Sequence, residues 1–240
     1  MERICWNCLG LATEGVSNTT NMKEIWDLLD GIDTAALCDS NKALRCIDPG
    51  IKCITNKSRC VGRARVVQCD QDFLAVLQEL AEAGTGDVLV IAGDGQQKAF
   101  AGELFVNEAR RRGLAGIVID GGCRDTGVVK EMEFPLFARW VTPMAGTALK
   151  PQSDIAVSRA LVGGVEVRSG DIIMADMDGI VVMSDLELQE VLPMARNIQD
   201  VERQVLEKVR NGTSLLNLVN LESHVEALKH GTPSRLQFLL

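Results

Sequence analysis

Arg124 and Asp125 form an adjacent pair of opposite charges. They follow Gly121-Gly122 and a short apolar run at residues 115–119, which is typical of a buried strand. Glycines let a backbone come close to a ligand, and an arginine can bind a carboxylate through two parallel hydrogen bonds. A salt bridge or a helix cap is the structural alternative for such a pair. Its position at the end of a strand favours a site for a small anion and a divalent metal.

A second glycine-containing loop, residues 93–98, follows another buried strand at residues 88–92. The sequence predicts a helix over residues 99–112, so that strand, helix and strand make a βαβ unit with its two loops side by side. The loop lacks the third glycine of the dinucleotide fingerprint and the Gly-Lys-Ser/Thr of a P-loop, which disfavours nucleotide binding. A tight turn is the alternative. Lys98 is the lysine best placed for a Schiff base, a further alternative for the chemistry.

The remaining segments predict one α/β domain without an internal repeat or linker. Asp33 and Thr34 can cap a helix that runs through Asn41. Periodicity and turn residues indicate further helices at 22–29, 73–83 and 186–210, and strands at 61–69, 134–141, 154–157, 164–167, 171–175 and 180–183. We divide the chain into a flexible N-terminal arm (1–20), the domain (21–212) and a C-terminal tail (213–240).

Composition excludes several classes of protein. With 33 acidic and 25 basic residues among 240, the net charge of −8 argues against a nucleic-acid partner. No stretch approaches the ~20 apolar residues of a membrane span, and no signal peptide is recognisable. The eight cysteines form no compact framework, so reduced thiols and a cytoplasmic location are expected. Cys5 and Cys8 lack the second pair that a zinc site would need.

Residues 102–105 and 113–125 together resemble the RraA-like proteins. Further matches lie at residues 86–90, 135–138 and 170–179, within a resemblance that covers about residues 30–212. This family includes 4-hydroxy-4-methyl-2-oxoglutarate aldolases, oxaloacetate decarboxylases and regulators of ribonuclease E without aldolase activity. The resemblance implies an αββα sandwich around the βαβ core, and homotrimers or homohexamers with sites between subunits.

The resemblance also implies roles for individual residues. Arg124 would bind the carboxylate and keto oxygen of the substrate, and Asp125 would ligate Mg²⁺ or Mn²⁺. A glutamate on the long C-terminal helix of a neighbouring subunit would complete the site; Glu202 is our candidate, and Glu207 competes with it. The pyruvate end of the substrate would be bound by the backbone at a helix N-terminus, formed by Gly102, Glu103, Leu104 and Phe105.

These assignments predict a divalent-metal-dependent carbon–carbon lyase that cleaves a small 2-oxo acid to pyruvate. The metal and Arg124 would stabilise the enolate that forms. In one departure from the aldolases, Val128 occupies the position of an acid that helps to hold the hydrated metal; Glu103 is a possible substitute. The alternatives are an enzyme of this fold with another substrate, and a non-catalytic protein that regulates a partner such as a ribonuclease. The lack of an acid at Val128 favours the non-catalytic protein.

Overall fold

The computed structural model describes residues 22–149 and 158–239. The arm at 1–20 and the strand predicted at 154–157 lie outside this part of the chain. The helices are α1 (Met22–Leu29), α2 (Thr34–Ser40), α3 (Leu74–Glu82), α4 (Glu103–Arg112), α5 (Thr126–Val129), α6 (Asp185–Arg210) and α7 (Leu221–Lys229), with a 3-10 turn at Leu215–Leu218. The strands are β1 (Arg45–Cys46), β2 (Lys52–Cys53), β3 (Cys60–Gln68), β4 (Asp87–Ala92), β5 (Ala99–Ala101), β6 (Gly116–Cys123), β7 (Leu136–Val141), β8 (Arg159–Val162), β9 (Val165–Arg168), β10 (Ile172–Ala175) and β11 (Ile180–Met183).

A nine-stranded mixed sheet forms the centre of the domain, in the order β1-β11-β10-β3-β4-β6-β7-β2, with β5 paired to the end of β6. Strands β3, β4, β6 and β7 are parallel to one another, and β5 is parallel to β6. The pairings of β1, β11, β10 and β3 at one end of the sheet, and of β2 with β7 at the other, are antiparallel. The crossover from β4 through α4 to β6 is the predicted βαβ unit, with Val88 opposite Gly116. The prediction of a single α/β domain around a βαβ core is confirmed.

The two faces of the sheet bury different apolar side chains. Leu89 and Ile91 of β4 pack on the side of α3 and α4, and Val88 and Val90 point to the opposite side, where the β8–β9 hairpin lies. Helices α1, α2 and α6 cover the β10–β11 end on the same face as α3 and α4. The helices, the main sheet and the β8–β9 hairpin are three layers of the expected αββα arrangement. Within residues 22–149 and 158–239, no helix covers the hairpin side as a fourth layer.

The segment before α4 differs from the prediction of a helix over 99–112. Residues Ala99–Ala101 form β5 and are buried, because they pair with β6 at Gly122 and Cys123. The helix begins only at Glu103, and it ends as predicted at Gly113, whose left-handed φ of 77° suits glycine. Strand β6 is correspondingly longer than its prediction and includes both Gly121 and Gly122.

Helix α6 is anchored at its start and exposed further along. Ser184 and Glu187 form a capping box, and the buried side chains are Leu188, Val191, Leu192, Ala195 and Val205. Helix α7 buries none of its side chains. No helix in the described ranges has both the length and the apolar character needed to cross a membrane.

A buried carboxylate links three segments at the β8–β9 side of the sheet. Asp120, only 6% exposed, accepts hydrogen bonds from Arg139 Nε at 2.6 Å and from the backbone N–H of Gly163 at 2.6 Å. Arg139 also bonds to Asp48 at 2.9 Å. This network holds β6, β7 and the turn of the β8–β9 hairpin together.

Replacing Asp120 by alanine should destabilise the domain by roughly 2–4 kcal/mol, because the buried Gly163 N–H loses its acceptor and the half-buried Arg139 loses one of its two carboxylate partners. Denaturant unfolding measures this difference. The control, Lys229→Ala, breaks an exposed ion pair with Glu226 and should leave the free energy of unfolding unchanged. Equal effects of the two substitutions would contradict a structural role for Asp120.

Candidate active site

Strand β5 brings the N-terminus of α4 beside the end of β6. Ala99 lies opposite Gly122, and the backbone N–H of Arg124 donates to the carbonyl of Ala101 at 3.1 Å. Gly102 then serves as the N-cap of α4. The first turn of α4 therefore lies next to Arg124 and Asp125.

Gly102 permits this contact because it has no side chain. A Cβ at this position would lie 2.4 Å from Asp125 Oδ2 and 2.9 Å from Arg124 Cγ, closer than atoms can pack. The space is used by a hydrogen bond of 3.2 Å from the Glu103 N–H to Asp125 Oδ2. Asp125 itself has a left-handed φ of 58°, which is uncommon for a residue other than glycine.

Arg124 and Asp125 are accessible to a ligand. Arg124 Nε lies 3.5 Å from Asp125 Oδ2, and the two side chains are 45% and 40% exposed. Both structural alternatives are present here, since the pair is within ion-pair distance and Asp125 accepts the Glu103 N–H at the start of α4. An exposed ion pair of this kind contributes little to stability. Because both side chains are partly exposed, Arg124 can bind an anion and Asp125 can bind a cation.

Two open pockets meet at this pair. The first is lined by Arg124, Asp125, Gly102 and the aromatic rings of Phe73, Phe100 and Phe105. The rings of Phe73 and Phe105 are in edge-to-face contact, with 5.7 Å between centroids. The second pocket is lined by Arg124, Asp125, Thr126, Val141, Thr142 and Pro143. The charged pair therefore lies between an aromatic surface on one side and the Val141–Pro143 segment on the other.

Cys123 precedes the pair but is a poor nucleophile. Burial raises the pKa of its thiol to about 11, and the negative charge of Asp125 adds to the increase. The thiol is therefore protonated at neutral pH, and covalent catalysis by Cys123 is disfavoured.

The structure brings together most of the predicted site residues. Glu103 is half-buried at the start of α4, and Leu104 is 76% exposed at the rim of the first pocket. Val128, 51% exposed, lies in α5 immediately after Asp125. Glu202 is exposed on α6, which packs on α2 and β11, and it lines neither pocket within this chain. Its predicted role across a subunit interface stays a prediction.

The loop at residues 93–98 lies beside the end of β6, as predicted from the βαβ unit. Gly95 N–H donates to the carbonyl of Asp120 at 3.0 Å, and Gly122 N–H donates to that of Lys98 at 2.8 Å. The loop leads into β5 and not into a helix, so its N–H groups are not those of a helix terminus. Lys98 lines neither pocket, which gives the Schiff-base alternative no support.

Sequence reasoning missed Phe73 and the segment after β7. Phe73 falls within the helix predicted at 73–83, whereas in the structure it lies just before α3 and lines the first pocket. Val141 and Thr142 could have been found, because β7 is parallel to β6 and its carboxyl end must reach the same edge of the sheet.

A divalent metal suits the donors at this site. Mg²⁺ is commonly held by one or two carboxylates together with waters and substrate oxygens. Asp125 offers one partly exposed carboxylate. Its Oδ2 accepts the Glu103 N–H and lies 3.5 Å from Arg124 Nε. The described residues contain no group of three or more His, Cys, Asp or Glu side chains arranged to hold a metal. Among the described residues, Asp125 is therefore the carboxylate in the pockets that could contribute to holding a hydrated ion.

Known proteins provide an independent comparison. Residues 34–182 match the family described as RraA-like, Aldolase/RraA. The chain belongs to the RraA-like family. This family includes both enzymes and RraA regulators, so membership fixes the fold and leaves two kinds of activity.

RraA-like relatives carry both kinds of name. A protein of Halalkalibacterium halodurans named "Putative 4-hydroxy-4-methyl-2-oxoglutarate aldolase" is 31% identical over 205 residues, which cover 83% of this chain and 92% of that protein. An uncharacterized protein from Pseudomonas syringae pv. tomato has a TM-score of 0.70 at 28% identity, over 81% of this chain and 96% of the other. The RNA-processing inhibitor RraA from Thermus has a TM-score of 0.58 at 29% identity, over 62% of this chain and 91% of the other.

Gly102→Ala should displace the Asp125 carboxylate and break its hydrogen bond with Glu103, at a cost of about 1 kcal/mol in stability. A crystal structure of the variant and denaturant unfolding check the two effects. Gly127→Ala is the matched control, because an added Cβ there meets no atom within 4 Å. A variant that kept the 3.2 Å bond between Glu103 and Asp125 would contradict the steric argument.

Proposed function

We propose that this RraA-like protein is a divalent-metal-dependent carbon–carbon lyase that cleaves a small 2-oxo acid to pyruvate. The observation that carries the proposal is the accessible Arg124–Asp125 pair at the N-terminus of α4. A cation, a carboxylate and a helix terminus in contact suit a substrate with adjacent carboxylate and keto groups. The relative named as an aldolase supports the same class of reaction.

Binding of the substrate depends on two sources of positive potential. The guanidinium of Arg124 can form two parallel hydrogen bonds with a carboxylate. The N–H groups at the start of α4 and the positive end of its dipole favour the same negative charge. The aromatic wall of Phe73 and Phe105 excludes water from one side, which strengthens these interactions.

Cleavage requires stabilisation of a developing enolate. The electrons of the breaking carbon–carbon bond move toward the keto carbon and its oxygen, and a proton leaves the substrate hydroxyl or a carboxyl group leaves as carbon dioxide. Arg124 and the α4 terminus face this negative charge. A divalent ion held by Asp125 would supply additional Lewis-acid stabilisation. Protonation of the enolate then gives pyruvate.

A neighbouring copy of the chain would complete this site. Glu202 and its competitor Glu207 are exposed on the far half of α6, away from both pockets of their own chain. The same half of α6 and the segment after it expose apolar side chains, a pattern typical of association surfaces: Leu206, Val209, Leu215, Leu216, Val225 and Leu228. A homotrimer or homohexamer would bury this surface and present a glutamate to the next subunit.

The Asp125→Asn variant tests the reaction. We expect pyruvate release from oxaloacetate or 4-hydroxy-4-methyl-2-oxoglutarate with Mg²⁺ or Mn²⁺, and a loss of about 100-fold or more in the variant. Asparagine retains the shape and tolerates the left-handed backbone. Asp94→Asn is the matched control, because Asp94 also has a left-handed φ, of 52°, but lines neither pocket. Turnover no higher than that of the metal alone would refute the proposal for these substrates.

Mixing two inactive variants tests the shared site. If Asp125 and Glu202 act from different subunits, then Asp125→Asn and Glu202→Gln should each be inactive, and subunit exchange between them should restore activity in about a quarter of the sites. The same mixture with Glu207→Gln distinguishes the two glutamates. A Glu202→Gln protein that is fully active alone would remove Glu202 from the site.

A non-catalytic regulator is the second candidate function. Val128 is apolar at the position where the resemblance implies an acid, and the described residues hold no cluster of three metal-binding side chains. The Thermus relative named as an RNA-processing inhibitor belongs to this class. A protein without metal-dependent turnover on the two substrates would favour this function.

A further inference from the structure

Two thiols outside the candidate active site lie within contact distance of each other. Cys38 in α2 and Cys46 in β1 have their Sγ atoms 3.3 Å apart. Both are free thiols; Cys46 is exposed and Cys38 is half-buried. A disulfide bond has an S–S distance of about 2 Å, so the sulfurs need to approach by little more than 1 Å to be joined.

Secondary structure fixes this proximity on both sides. Cys46 lies in β1 opposite Val181 of β11. Helix α2 is held at its start by Thr34, whose N–H and hydroxyl donate to the Asp176 carboxylate at 2.8 Å and 2.7 Å, and by Asp33, which accepts from Gln199 of α6. The two thiols therefore meet between anchored elements, and their contact does not depend on a loop conformation.

The other described cysteines differ from this pair. Cys60, Cys69 and Cys123 are buried, and Cys53 is half-buried with its thiol directed to the carbonyl of Thr55 at 3.2 Å. Cys46 is the one exposed cysteine among residues 22–149 and 158–239. It faces an open cleft lined by Thr34, Ala35, Pro49 and Asp178, wide enough for a small molecule to reach the thiol.

We propose that Cys38 and Cys46 form a reversible oxidation site, at which a small-molecule disulfide such as glutathione disulfide converts the two thiols into an intramolecular disulfide. The Cys46 thiolate attacks one sulfur of the reagent, whose S–S bond breaks and releases one thiol. Cys38 then attacks Cys46 Sγ in the mixed disulfide and expels the second thiol. Two protein thiols are oxidised, and one small disulfide is reduced to two thiols.

The environments of the two thiols set the order of these steps. Burial, together with the hydrogen bond and charge of Cys46, raises the pKa of the Cys38 thiol to about 12. Cys46 is the exposed thiol of the pair and lines the open cleft, so it is the first nucleophile. Once Cys46 is capped, its contributions to the raised pKa of Cys38 are removed, while burial still raises that pKa and the charges of Lys42 and Asp39 act in opposite directions. The 3.3 Å separation of the two sulfurs keeps Cys38 within reach of Cys46 Sγ for the second attack.

Peptide mapping of the full chain tests the site. The protein is treated with glutathione disulfide under native conditions, alkylated to block the remaining thiols, and digested with trypsin. Cleavage after Lys23, Lys42, Arg45 and Lys52 places Cys38 in peptide 24–42 and Cys46 in peptide 46–52, each with a single cysteine. We expect these two peptides to be joined by a disulfide that dithiothreitol removes.

Single substitutions separate the two steps. Cys38→Ser should trap glutathione on peptide 46–52, Cys46→Ser should leave peptide 24–42 unmodified, and the control Cys53→Ser should still give the joined pair. The proposal is overturned if wild-type peptide 46–52 carries glutathione without joining peptide 24–42, if either peptide joins mainly to another cysteine, or if neither reacts.

Discussion

The hydrogen bond from the Glu103 N–H to Asp125 determines the geometry of the candidate site. It joins the end of β6 to the first turn of α4, and it exists because Gly102 has no side chain to separate the two segments. The strand pairing of β5 with β6 holds the same segments in register. A charged pair, a helix terminus and two pockets meet at this junction because these constraints act together.

The strongly patterned elements could be predicted from the sequence. Buried strands such as β4 and the amphipathic helices appeared at nearly their observed positions, because apolar periodicity records which face is covered. Strand β5 could not be recognised. Its residues, Ala99, Phe100 and Ala101, continue the apolar pattern of the helix that follows, and their pairing with β6 depends on a contact distant in sequence.

The part of the candidate site that follows a strand end could be predicted from the sequence. Arg124 and Asp125 follow a buried strand of a βαβ unit, so topology alone places them at the binding edge. Phe73 comes from a separate segment, and its ring meets Phe105 only in the folded domain. The position of Glu202 relative to the site depends on a second copy of the chain, which no intrachain pattern can specify.

The left-handed backbone of Asp125 has an evolutionary consequence. Holding an aspartate at a φ of 58° costs about 1 kcal/mol relative to glycine, so the backbone conformation taken alone favours glycine, although the hydrogen bond from the Glu103 N–H stabilises the aspartate. Under mutation without selection for activity, the position should drift toward glycine or asparagine. A carboxylate kept at this position among related sequences would therefore mark selection for what the side chain binds.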